Sequence, residues 1–175
     1  MKTNKIYPVL FIFALIFSTD AFSQNVDLGK MSKNDREKYL INLGTEITKT
    51  YAPAYYRADA KPVISEVKKF QTDDTRPEIS KNIGREYYEV SFIYDPTKER
   101  LEWNYTSQTM VWVDNGQPYG IFFGNGAGLD FFFEPYKKGI KIPAAQQIPY
   151  QQANKIINIF EVQDTTRVQD TTKKK

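Results

Sequence analysis

"FFGNGAGLDFFF", Phe122 to Phe133, places three glycines at alternate positions between two aromatic blocks. Two readings compete for it. A phosphate-binding loop opens a helix after its glycines, because the helix N-terminus receives the anion, and it carries Lys-Ser/Thr or a full G-x-G-x-x-G. Here the chain continues as "LDFFFE", which is aromatic and strand-like, and neither signature is present. The stretch therefore reads as a glycine-rich turn between two strands, with glycine at positions of positive φ. Its flanks say more. Ile121-Phe122-Phe123 and Phe131-Phe132-Phe133 do not alternate apolar with polar, as a half-exposed antiparallel strand does. Both faces of the sheet should be covered, one by a helix and the other by more of this chain or by a partner.

Upstream the β pattern is regular. "EYYEVSFIYD" sets Tyr88, Val90, Phe92 and Tyr94 against Tyr87, Glu89, Ser91 and Ile93. A turn at Asp95-Pro96 leads into "LEWNYTSQTMVWV", from Leu101 to Val113. Asp114-Asn115-Gly116 signals a hairpin, since Asn-Gly suits a type I′ turn. "PYGIFF" returns as the next strand, so at least three antiparallel strands form a meander.

"SKNDREKYLINLGTEITKTY", Ser32 to Tyr51, reads as a helix. Ser32 is the expected N-cap, with Asp35 in the capping-box position. Leu40, Leu43 and Ile47 recur at helical spacing. Gly44 costs about 1 kcal/mol against alanine in a helix, and it offers a place where the helix approaches the sheet closely. Pro53 ends the run. "PVISEVKKF", Pro62 to Phe70, is β-compatible, and the polar Gln71 to Gly84 reads as a long connection. Residues 150–162 fit a helical stripe and a β-branched strand equally well. The fold class expected is α+β: an N-terminal helix on a curved antiparallel sheet of four to six strands, cystatin-like or NTF2-like in general shape.

The first 23 residues read as a signal peptide. Lys2 and Lys5 precede the apolar run Ile6 to Phe17, and Ala21-Phe22-Ser23 places small residues where a signal peptidase reads. Cleavage is expected before Gln24, leaving a mobile leader at 24–30, a single domain at 31–162 and a disordered polar and basic tail at 163–175. The tail repeats Val-Gln-Asp-Thr-Thr at Val162 and Val168. The apolar run is shorter than the roughly 20 residues of a membrane span. The expected location is periplasmic or secreted, in a bacterial envelope, with no membrane span after cleavage. No cysteine means no disulfide and no lipid anchor at a mature N-terminal cysteine.

The 175 residues also hold no histidine. Ser-His-Asp and Cys-His catalysis are excluded, as is any imidazole metal ligand. Acid–base work would fall to carboxylates such as Glu86, Glu89, Glu102, Asp114, Asp130 and Glu134. Asp73-Asp74 lacks the rest of a calcium loop. No metal site and no cofactor are expected, and the near-balanced formal charge of +3 argues against nucleic acid.

The positive signal is the aromatic load: twelve Tyr, twelve Phe and two Trp. Tyr and Trp combine an apolar body with a polar tip, which suits interfaces. Trp103, Tyr105, Trp112 and Tyr119 fall on two strands joined by one hairpin; Tyr55, Tyr56 and Arg57 form a second candidate cluster just after the helix. Trp103 and Trp112 have opposite parity, so one is expected in the core and the other exposed, unless a bulge falls near Ser107 to Thr109. The function expected is a non-catalytic binding module for an envelope protein or glycan. The alternatives are a carboxylate-dependent hydrolase of envelope polysaccharide, and an inhibitor or immunity protein for an envelope-acting enzyme.

Overall fold

The computed structural model describes residues 26–150. The signal peptide, the repeated tail and all but Tyr150 of the 150–162 segment lie outside the described residues. The architecture is α+β, with one long helix and a six-stranded antiparallel sheet that does not close into a barrel.

Helix α1 spans Lys33–Tyr51. Ser32 caps it by accepting from the Asp35 backbone N–H at 3.2 Å. Leu40, Leu43 and Ile47 are buried, as their spacing predicts. Gly44 is buried too, and a Cβ there would lie 3.0 Å from the Phe92 ring. Helix and sheet meet at that point because no side chain intervenes.

The strands are β1 (Lys61–Ile64), β2 (Lys68–Lys69), β3 (Glu86–Ile93), β4 (Tyr105–Trp112), β5 (Pro118–Phe123) and β6 (Gly128–Asp130). Their order is β1-β3-β4-β5-β6, and β2 pairs with the same edge of β3 as β1. "PVISEVKKF" is thus two short strands. The break falls at Ser65, whose hydroxyl accepts from the Glu89 N–H at 3.0 Å.

Two register shifts decide which ring faces where. Phe92 pairs with Ser107 and Ile93 with Tyr105, so Thr106 is an extra residue in β4. Met110 pairs with Gly120 and Val111 with Pro118, so Tyr119 is an extra residue in β5. Each bulge moves the residues beyond it to the opposite face.

One face packs on α1. Val90, Val111, Ile121 and Phe123 are fully buried there among Leu40 and Ile47. The other face carries a smaller core of Phe70, Ile79, Met110, Trp112 and Tyr119. Ile79 comes from a one-turn helix, α2 (Pro77–Ser80), inside the polar connection. The second face is therefore covered in part by this chain itself.

Some expectations need correcting. Val26–Lys30 is docked rather than mobile: Val26 and Leu28 donate to Asn115 O and Val113 O at 3.0 and 2.8 Å, and Leu28 is fully buried. The β4–β5 loop is not type I′, which needs positive φ at both central residues. Only Gly116 has positive φ, its N–H donating to Trp112 O at 3.0 Å. Strand β4 begins at Tyr105 rather than Leu101, whose side chain turns into the core.

Candidate functional site

The glycines of the opening stretch do three different jobs. Gly126 turns the chain at φ +82°, with its N–H on Phe123 O at 2.9 Å. Gly124 is a close approach, where a Cβ would run into Leu101 and the Tyr105 carbonyl. Gly128 lies under the Phe122 ring, where a Cβ would come within 2.5 Å of Phe122 Cδ1. Gly120, paired with Asp130 on the same two strands, makes room for the Met110 methyl in the same way that Gly128 makes room for the Phe122 ring.

Both glycines line a groove of about 500 Å³ on the second face. Phe122 stands beside it, 46% exposed. The wall is aromatic. Tyr119 stacks on Trp112 with centroids 4.0 Å apart, and Phe70 meets both rings edge-on at 5.4 and 5.5 Å. Phe132 closes the cluster, 5.5 Å from Tyr119. Consecutive phenylalanines reach this arrangement because β6 ends at Asp130. Phe131 then turns into the helix-side core, Phe132 joins the second core, and Phe133 stays exposed beneath the Arg76 guanidinium.

The polar groups of the groove are held in place. Gln108 donates to Ser91 Oγ at 2.8 Å and to Glu89 Oε2 at 3.3 Å. Lys68 pairs with the same Glu89 oxygen at 2.7 Å. Asp74 is gripped by Arg76, whose hydrogen bonds hold its carboxyl below the usual range. Burial raises the Tyr119 phenol, which stays protonated and able to donate. A concave site lined by aromatic rings with a few fixed polar groups is a typical small-ligand or chain-binding surface.

The seven aromatic and basic candidates fall into three places. Trp112, 4% exposed, and Tyr119 are packed into the wall rather than presented outward. Trp103 is 51% exposed and stacks parallel on the buried Tyr105, centroids 6.2 Å apart. One tryptophan is thus core and the other exposed, with the bulge at Thr106 between them. Tyr55 is fully buried on the helix side against Phe123 and Tyr150, so it serves that core. Tyr56 is half-buried under the Lys49 ammonium, 4.2 Å from its centroid. Arg57 makes a two-pronged ion pair with Glu99 at 2.9 and 2.7 Å, and Tyr150 donates to Glu99 at 2.6 Å.

Measured against known protein families, curated proteins and solved structures, the chain matches none.

Phe122, Phe70 and Gln108 belong to the groove and were not singled out from sequence. Phe122 had a signal, since its doublet with Phe123 breaks the alternation. Phe70 follows two lysines before a polar run and had none. Among the described residues, the carboxylates with displaced pKa values are Asp27, Asp59, Asp74, Asp95 and Glu99, all moved downward. Among the described residues no three metal-ligating side chains cluster, and no helix is long and apolar enough to cross a membrane.

Proposed function

We propose that this chain is a non-catalytic binding module, and that its ligand, a glycan or protein segment, lies in the second-face groove against Phe122. The observation that supports the reading is the exposed Phe122 ring, seated over Gly128 in a groove walled by Phe70, Tyr119 and Phe132. An exposed large aromatic beside a rigid, partly polar groove is more informative than a scattered surface residue. The fixed Gln108–Ser91–Glu89 chain supplies donors and acceptors without a further ordering cost. Residence in the bacterial envelope after cleavage before Gln24 belongs to the same proposal, as does a general shape like cystatin-like or NTF2-like folds. N-terminal sequencing of exported protein should begin at Gln24.

The test is an NMR titration of labelled protein with envelope polysaccharide and, separately, with envelope protein fractions. Saturable shifts at Gly120, Phe122 and Gly128, lost in Phe122→Ala, are the expected result. Saturable binding that leaves those resonances unmoved, or that persists undiminished in Phe122→Ala, would sink the reading.

A further inference from the structure

Tyr119 and Phe132 also wall a second groove, of about 380 Å³, whose charge is opposite to that of the first. Asp74, Glu89 and Asp130 line the first, and among the described residues no Lys or Arg does. Lys81, Arg85 and Lys137 line the second, with Glu78 as its carboxylate.

Arg85 is held in one orientation. Its guanidinium lies 4.1 Å from the Trp112 ring centroid. It donates to both Asp114 oxygens, at 3.2 and 2.6 Å, and to Asn82 Oδ1 at 2.7 Å. Asn82 is buried and anchored in turn, donating to Glu78 O at 2.8 Å. A guanidinium has five N–H donors, so Arg85 keeps donors beyond these three bonds. Lys81 and Lys137 stand exposed at the rim and form no ion pair among the described residues. The apolar side of the groove is ring surface from Phe131, Phe132, Tyr119 and Tyr136.

We propose that this groove binds an amphipathic carboxylate, its apolar body against the ring wall and its carboxylate toward Arg85, Lys81 and Lys137. Oriented guanidinium is well matched to carboxylate, and the two ammonium groups add charge without fixing geometry. The first groove offers the same ligand no cation among its lining residues, and the neighbouring Lys68 and Arg76 are already bound to Glu89 and Asp74. The inference stands apart from the reading of that groove.

Trp112 lines the site and Trp103 does not, so Trp103→Phe leaves one tryptophan as reporter. That protein is titrated with 4-phenylbutanoate, 4-phenylbutylamine and 4-phenylbutanol while Trp112 fluorescence is followed. The acid should give a saturable change, with the amine and alcohol at least about tenfold weaker. Lys81→Glu with Lys137→Glu should weaken the acid by about tenfold or more. Lys81→Gln with Lys137→Gln should weaken it less, and the thermal melts of both double variants should match the parent. Asp130→Asn and Phe122→Ala, in the other groove, should leave acid binding unchanged. Equal binding of amine and acid, an unchanged affinity in both lysine variants, or no saturable response to the acid up to about 10 mM would each overturn the proposal.

Discussion

Strand β3 sends Tyr88, Val90 and Phe92 to one side and Tyr87, Glu89 and Ser91 to the other, and the two sets meet different partners. The first set meets α1, a nineteen-residue helix with a buried stripe and a glycine at its closest approach. The second meets a loop that contributes little more than Phe70 and Ile79. A regular element covers a sheet face continuously, because its side chains recur at fixed spacing. A loop covers only where its few apolar residues land, and what it leaves open becomes grooves. The helix side is therefore the more continuously covered half of this protein, and the loop side holds the grooves.

Phe123→Ala should show the largest effect. Its ring is fully buried on the helix side against Tyr55, and such truncations cost about 3–5 kcal/mol. Denaturant unfolding should show the loss as a lower midpoint with an unchanged slope. A cost below about 1 kcal/mol would place the stable core elsewhere.

Phe70→Ala tests the other half. It should cost about 2 kcal/mol, less than Phe123→Ala, because the loop can open while the helix side stays closed. Hydrogen exchange should speed up over residues 65–84 and hold steady in α1. Uniform acceleration would mean that the two faces unfold as one.

The segment from Ile148 to Tyr150 straps the helix side. Ile148 N–H donates to Tyr51 O at 2.9 Å, Tyr150 packs on Tyr55, and Tyr150 also bonds Glu99. Burial alone would raise the Glu99 pKa; the Arg57 and Tyr150 hydrogen bonds outweigh it and hold the carboxyl below its ordinary 4.5. A lowered folded-state pKa gives stability that is present above the unfolded value and is lost as pH falls through the folded one. The melting temperature should therefore drop on acidification below about pH 4.5, and Glu99→Gln should reduce that drop. An equal drop in both proteins would remove Glu99 from the account.

Phe122→Ala should be the mildest for folding, within about 0.5 kcal/mol, since the ring is half in solvent. Its effect should appear in binding. A large stability loss here would make Phe122 a core residue and take the groove reading with it.

Periodicity located the helix because α1 repeats its apolar residues every three or four positions and starts on a capping serine. Alternation located β3, and Asp-Asn-Gly located the β4–β5 loop. The turn type was beyond reach, since Asn115 keeps a negative φ and Gly116 alone turns left-handed. The leader carries little signal because its docking rests on Val26 and Leu28 and on two backbone hydrogen bonds to Val113 and Asn115, which no periodicity reveals. Tyr119 shows the limit most clearly. By parity it belongs with Ile121 on the helix side, yet it stacks on Trp112 across the sheet because it is the extra residue of a bulge.

By itself, then, the sequence determined the α+β class, the helix and its buried stripe, the meander, and the exclusion of histidine and cysteine chemistry. These are properties of composition and short-range spacing, which each stretch carries within itself. Tertiary structure alone decided the bulges that assign rings to faces, the partial cover made by Phe70 and Ile79, and the two grooves of opposite charge. Those depend on which strand residues pair across long separations, and a one-residue shift in pairing reverses every side chain beyond it. The glycines of FFGNGAGLDFFF carry both lessons. That they turn a chain could be read locally, whereas the packing of Gly128 beneath Phe122 required the pairing of β5 with β6.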